Sequence, residues 1–333
     1  MNLDERFRRV IDDGTLDLPP LGGGHTPARL RALAAVARAD TALGRLAEAH
    51  ADAVQILAEA GRPARPGARY GVWAAEDPSA VLTVGGRDGR MVLDGTKVFC
   101  TGAGIVDRAL VTVPGSGAGP RLVDVDLRAH PDRVTIDGSA WITPAFADTS
   151  TATIHLDQLP LDDDAVVGPP GWYLDRPGFW HGACGPAACW AGGATGLVDD
   201  AIARAAERGP QPHRDAAVGA LSALATLMEA TLDHAGAGID RDPSDVDGAA
   251  RVRALETRHL IERACTEVID RHGRAFGPRP LAFDADTHRR VLEVQLYIRQ
   301  SHAERDLEAL GRAVRERHLD RPGDPGNSGT VHS

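Results

Sequence analysis

The sequence is poor in the residues that build stapled or metal-held folds. Only four cysteines occur in 333 residues (Cys100, Cys184, Cys189 and Cys265), and no two stand at a CxxC spacing. That excludes a zinc ribbon and a disulfide-dense secreted domain. The thirteen histidines form no HxH or HxxxH pair, so no element offers adjacent imidazoles to a metal. HExxH, GxSxG and Walker motifs are all absent, which removes three common hydrolase signatures. Basic residues are outnumbered, 37 against 47 acidic, for a net charge of −10. A surface of that sign disfavours nonspecific nucleic-acid binding, yet still admits an anion held by a few local arginines. Long uncharged runs are scarce too. The one that approaches a bilayer's length, 182–198, is built of Gly, Ala and Pro around Trp190 and is followed at once by Asp199-Asp200. It reads as a close-packed buried helix rather than a membrane span. With no secretory leader visible, the cytoplasm is the expected compartment.

What the chain does contain falls into three blocks. Thr26-Pro27 is a helix start, a capping hydroxyl followed by proline, and Leu30, Leu33, Val36, Ala37, Leu43, Leu46, Val54 and Leu57 recur at helical spacing up to Gly61. From Ala68 the period changes to short branched and aromatic runs: 70–75, 80–84, 90–94, 97–101, 109–113, 121–126, 133–136 and 152–156. The earlier ones are broken by Gly85-Gly86, Asp88-Gly89, Asp94-Gly95 and Gly115-Ser116-Gly117. Such breaks are hairpin turns, so an antiparallel sheet or barrel is expected. Beyond Phe179 four amphipathic helices follow, at 182–206, around Val218–Leu232, around Val252–Ile269 and over 287–316, which suggests a bundle. The expected organisation is α+β: a short helical N-terminal segment (1–66), an antiparallel β-barrel or sandwich (67–172), a C-terminal four-helix bundle (173–316) and a disordered tail (317–333).

Three local motifs have bland readings. Gly115-x-Gly117-x-Gly119 is followed by another strand and not by the helix that a dinucleotide fingerprint requires. Gly22-Gly23-Gly24 follows Pro19-Pro20, where a strand would be needed, and is a linker. Asp162-Asp163-Asp164 is a solvated turn, since no further ligand lies at metal spacing. Arg176-Pro177-Gly178-Phe179-Trp180-His181-Gly182 stands at the junction of the β and helical blocks. It is either a ligand-cleft wall or, the slightly preferred reading, a tight turn that buries Phe179 and Trp180.

Several segments together resemble the acyl-CoA dehydrogenase family. They are Gly71-Val72-Trp73-Ala74-Ala75-Glu76; Leu93-Asp94-Gly95-Thr96-Lys97-Val98-Phe99-Cys100-Thr101-Gly102-Ala103; Asp107-Arg108-Ala109-Leu110-Val111; and Thr149 through Leu161, ending at Val167-Gly168. Gly196-Leu197-Val198 and His272-Gly273 sit where that family places glycines in its bundle. The likeness spans roughly residues 26 to 312, in the family's order of elements. It implies FAD held between β-domain and bundle, with Trp73, Ala75, Phe99, Thr101 and Gly102 at the ring. It also implies an acyl thioester substrate carried by CoA or a carrier protein, oxidised at its Cα–Cβ bond, an electron-accepting flavoprotein or reductase, and a homodimer or homotetramer formed through the bundle. A flavin needs an aromatic wall and nearby donors to tune it. Without the surrounding pattern, Trp73 and Phe99 would read as sheet packing.

The sequence also departs from the family. Ala75 stands where the family has Thr and Asp77 where it has Pro, and the Gly-Ser-Asp that helps hold a pyrophosphate is absent. The N-terminal segment is about half the usual length, and the Arg-x-x-Phe-Gly signature is missing around Pro210–Asp215. The family's catalytic Glu follows a Tyr, whereas here Tyr297 is followed by Ile298-Arg299-Gln300; its alternative location holds Gly185-Pro186-Ala187. Candidate replacements lie on what reads as one helix, with Tyr297, Ser301 and Glu304 on a shared face and His302 one turn from Asp306. His302 or Glu304 would serve a dehydrogenase as base, or a monooxygenase on the same fold as its polar partner. An equally good reading is a solvated face laced with i,i+4 pairs. The leading expectation is FAD-dependent dehydrogenation of an acyl thioester. The alternatives are a flavin monooxygenase and a catalytically silent homologue that binds or assembles.

Overall fold

A computed structural model describes residues 1–78, 80–87, 90–115 and 119–319. The N-terminal block is three helices, α1 (Leu3–Asp12), α2 (Thr26–Ala39) and α3 (Thr41–Glu59). A capping box opens α1: the Asn2 side chain accepts the Glu5 N–H and Glu5 accepts that of Asn2. Thr26 does not cap α2, as its sequence position suggests. Its hydroxyl instead bonds Asp240 at 2.5 Å, far along the chain. The apolar period that runs unbroken from Leu30 to Leu57 is interrupted at Asp40, where the backbone is extended. The Asp40 carboxylate accepts the Leu43 N–H at 2.8 Å and pairs with Arg6, so the break is also a new helix cap.

The β-domain has strands β1 (Tyr70–Trp73), β2 (Leu82–Arg87), β3 (Arg90–Cys100), β4 (Arg108–Val113), β5 (Arg121–Asp126), β6 (Val134–Asp137), β7 (Ala152–Pro160) and β8 (Val166–Val167). They form two four-stranded sheets, ordered β1-β4-β5-β8 and β2-β3-β7-β6. The expected antiparallel pattern holds except between β1 and β4, which run parallel, Tyr70 opposite Arg108. Asp94-Gly95 is not a hairpin turn. The runs 90–94 and 97–101 join into one strand with a bulge at Gly95, whose φ is +117° and whose Cα lies against the Val81 carbonyl, leaving no room for a Cβ. Asp88-Gly89 and residues 116–118 lie outside the described residues. The two sheets are stitched by Lys97 of β3, whose buried Nζ donates to the Thr112 carbonyl at 3.1 Å and hydroxyl at 2.9 Å on β4.

The helical block comprises α4 (Trp172–Asp175), α5 (Pro177–Gly182), α6 (Cys184–Arg208), α7 (Pro212–Arg241), α8 (Ala250–Phe276), α9 (Pro278–Phe283), α10 (Ala285–Tyr297) and α11 (Glu304–Leu319). α6 is the buried axis. Its Gly and Ala content lets neighbours approach closely: a Cβ on Gly192 would collide with the Ala34 carbonyl of α2. The uncharged run at 182–198 is therefore buried core. Among the described residues α7 is the one helix long and apolar enough to cross a membrane, with 17% of that window buried. Leu221, Met228, Leu232 and Ile239 on its inner face are buried.

The expected long helix over 287–316 is divided. α10 stops at Tyr297, a 3-10 turn takes Ile298–Gln300, and Ala303 has φ +47° before α11 starts. Tyr297, Ser301 and Glu304 therefore do not share a helix face. Residues 317–319 complete α11 instead of opening a tail, and the rest of the expected tail lies outside the described residues.

Candidate functional site

A cavity of about 640 Å³ opens where the β-domain meets the helices, within the range of small-molecule and cofactor sites. Its β-domain wall comes from the end of β1 (Val72 to Ala75), from Phe99 and Thr101 at the end of β3, and from Trp141 and Thr143. Its helical wall comes from Arg45, Glu48 and Asp52 of α3, from Tyr173, Arg176 and Phe179, from the start of α6, and from Leu296, Tyr297, Arg299, Gln300 and His302. The 176–182 segment is thus a cleft wall as well as a turn, since Phe179 lines the cavity while Trp180 packs edge-on against it at 5.3 Å.

Thr101 is the best-anchored polar group on the β wall. Its carbonyl accepts the Trp73 indole N–H at 3.0 Å. Its hydroxyl oxygen accepts from Arg45 Nη2 at 2.8 Å and from Thr151 at 3.3 Å. The guanidinium of Arg45 donates into this oxygen and so fixes the Thr101 hydroxyl at the edge of the cavity. Arg45 is itself fixed over two rings, 4.7 Å from the centroid of Phe146 and 5.5 Å from that of Tyr297. Phe99 has φ +56° and is 58% exposed at the cavity, beside a register shift between Lys97 and Cys100. An aromatic residue in left-handed backbone, with an uncovered ring, is strain of the kind that clusters at ligand sites.

Of the residues singled out in the sequence, Trp73, Ala75, Phe99, Thr101 and His302 line this one cavity. Gly102 and Glu304 do not. Gly102 turns the chain behind Thr101, against Val106 and Leu46, and Glu304 is exposed in the first turn of α11. His302 stands in the loop between α10 and α11; Asp306 takes its backbone N–H at 2.9 Å and lies 3.3 Å from its Nδ1. The pairing with Asp306 is therefore present, but as a cap of α11 and not as two positions along a helix.

The sequence reading missed Arg45, Glu48 and Asp52, three charged side chains that α3 delivers to the cavity. Glu48 and Asp52 lie against glycines. A Cβ on Gly185 would stand 2.8 Å from Glu48 Oε1, and one on Gly182 would stand 2.9 Å from Asp52 Oδ1. Burial, and secondly the charge of Asp52, push the Glu48 carboxyl up to about 8, against the pull of Arg29, Arg258 and Arg45. Burial also raises Asp52 above the usual carboxylate range. Tyr297 is 1% exposed; burial, and secondly the Cys189 thiol beside it, hold its hydroxyl well above its ordinary pKa.

No family model matches the chain, and no curated protein matches it. Solved structures do share its fold. KijD3 in complex with FMN and dTDP-3-amino-2,3,6-trideoxy-4-keto-3-methyl-D-glucose aligns with a TM-score of 0.76 at 19% identity, over 94% of this chain and 86% of that one. The nitrososynthase from Micromonospora carbonacea var. africana aligns at 0.77 and 17%, over 93% and 89%. Dibenzothiophene monooxygenase (TdsC) from Paenibacillus sp. A11-2 aligns at 0.73 and 16%, over 94% and 95%. Identities this low establish the architecture alone: a helical N-terminal block, a β-domain of two sheets and a C-terminal helical bundle.

These neighbours correct two expectations. Those described with a flavin hold FMN and not FAD; this chain likewise lacks the Gly-Ser-Asp segment that would hold the pyrophosphate of FAD. The small molecules named with them are a dTDP-linked amino sugar, dTDP and indole, and none is an acyl thioester. The site gives the physical reason here. Tyr297 leads into a 3-10 turn, and neither expected base position carries a carboxylate of its own. The electron-accepting flavoprotein expected alongside acyl-thioester oxidation is set aside with that substrate.

Proposed function

We propose that the chain is a flavin-dependent monooxygenase that holds FMN in the junction cavity and oxygenates a small organic substrate. The observation that carries this reading is the β-domain wall. An exposed Phe99 ring, the Trp73 indole and a Thr101 hydroxyl fixed by Arg45 converge on a cavity large enough for a flavin and a small partner. Aromatic surface and a fixed donor are what an isoalloxazine edge requires. When bound and reduced, FMN supplies the electrons with which one atom of dioxygen enters the substrate and the other leaves as water.

The chain's own part is positioning and proton handling. Trp73 clamps the Thr101 carbonyl, and Arg45 and Thr151 fix its hydroxyl, so the donor is set before any ligand arrives. Tyr173, Phe179 and Tyr297 exclude water from the helical side. At the rim, His302 is held by Asp306, placed to pass a proton between the cavity and solvent.

The test is reconstitution. The purified chain is loaded with FMN, reduced anaerobically with light, and exposed to ¹⁸O₂ with indole, dibenzothiophene or a dTDP-amino sugar. The reading expects a product that carries one ¹⁸O atom. Failure to bind FMN rejects it and leaves a flavin-free binding role.

A further inference from the structure

Glu48 and Asp52 lie one turn apart on the cavity face of α3. Four guanidinium groups surround them, and each is committed elsewhere. Arg29 of α2 donates to the carbonyls of Pro19 and Ala51 at 3.0 and 2.9 Å. Arg45 of α3 donates to Thr101. Arg176, between α4 and α5, donates to Glu59 at 2.6 Å. Arg258 of α8 spans the carbonyls of Ala183 and Gln300 at 3.1 and 2.7 Å. Among the described residues none donates to Glu48 or Asp52, whose carboxylates feel these cations only through space. α5 and α6 keep clear of both carboxylates by presenting Gly182 and Gly185 where side chains would otherwise stand.

Two half-buried carboxylates that line the cavity and meet no protein donor are open to a ligand that brings donors of its own. They face a chamber walled by Tyr173, Phe179 and Trp73. An ammonium group meets all of these conditions, since it brings three N–H donors, a positive charge and a preference for aromatic faces. We propose that Glu48 and Asp52 are the substrate-recognition pair of this cavity and that they select a substrate bearing a basic amine. A ring laid on the β wall leaves the helical wall, with its carboxylates, to that substrate. When the amine nitrogen must be free of its extra proton, that proton moves from the ammonium nitrogen to a Glu48 carboxylate oxygen, giving neutral amine and neutral carboxylic acid. The raised position of Glu48, about 8, suits such an exchange.

This assignment rests on reading the cavity as the FMN and substrate site, and the test separates the two. Benzylamine and its neutral isostere benzyl alcohol are titrated calorimetrically into FMN-loaded protein, in phosphate and in Tris at pH 7.5, with the FMN affinity measured on the same preparation. Benzylamine is expected to bind roughly ten- to a hundredfold tighter than benzyl alcohol. It should also release a fraction of a proton, because a bound cation expels the proton that Glu48 retains. Glu48→Gln should abolish the proton release, and Glu48→Gln with Asp52→Asn should bring the two ligands level while FMN affinity stays unchanged. Equal binding of the two ligands by the wild type overturns the proposal, as does benzylamine affinity that survives in the double variant, even where FMN binds normally. If FMN fails to bind, the flavin reading is lost; the same amine-to-alcohol comparison on the flavin-free protein then decides this proposal independently.

Discussion

Glu48 of α3 fills the space that a side chain on Gly185 of α6 would occupy, its Oε1 standing 2.8 Å from that missing Cβ. The bundle helix lacks a carboxylate at this place, and the N-terminal block supplies one from across the helix packing. Gly185→Ala is expected to fold, because the clash falls on the movable end of a long side chain. It should displace the carboxylate and lower benzylamine affinity about tenfold. Calorimetry with far-UV circular dichroism as the fold control checks this, and unchanged affinity would show that Glu48 does not depend on the glycine.

Burying Glu48 has a consequence for stability. A carboxyl whose pKa in the folded protein, about 8, exceeds its ordinary value of 4.5 binds more protons folded than unfolded between those limits. Its contribution is therefore least unfavourable below pH 4.5, and stability is lost as pH rises towards 8. Glu48→Gln removes that dependence. Its melting temperature should match the wild type near pH 5 and exceed it by a few degrees at pH 8 to 9.

His50 acts in the opposite direction. Burial lowers its pKa to about 4 from 6.5, and its Nδ1 accepts the Tyr70 N–H at 3.2 Å while Phe7 packs edge-on at 6.0 Å. The unfolded chain takes up the proton first, so stability falls as pH drops from 6.5 through 4, by roughly 3 kcal/mol in all. Denaturant titrations of wild type and His50→Gln across that window should diverge, with the variant the flatter of the two.

Much of the architecture was legible in the sequence because glycine and proline mark its joints: helices up to Gly61, short strands to Val167, then the bundle. The errors have two causes, a contact from another strand in the sheet and a local cap in the last helices. Asp94-Gly95 reads as a hairpin turn, yet the close approach of Val81 makes it a bulge within β3. The polar run from Tyr297 to Asp306 reads as one helix, yet Asp306 caps a new one through the His302 backbone. The β wall at Trp73, Phe99 and Thr101 was visible through its motifs. Glu48 and Asp52 were not, since nothing local distinguishes a buried acid from an exposed one on an amphipathic helix. The only trace was Arg45, Glu48 and Asp52 at i, i+3 and i+7 in a helix otherwise rich in core residues.

The outer face of α7 predicts an association. Ala216, Gly219, Ala223, Leu227 and Ala230 are exposed along it, Leu227 to 48%. A stripe of small apolar side chains on a bundle helix suits a second copy of the chain. Sedimentation should report a dimer or larger assembly, and Leu227→Glu should shift it to monomer without unfolding it.

The central claim is that FMN is held on the wall built by Trp73, Phe99 and Thr101, and an equilibrium FMN titration of wild type against Thr101→Val and Thr101→Ser tests it most directly. The expected result is one FMN per chain. Affinity should fall about tenfold in the valine variant, where the hydroxyl donor is gone, and recover in the serine variant, where it is restored. Absence of FMN binding by the wild type, or equal affinity in all three proteins, would contradict it.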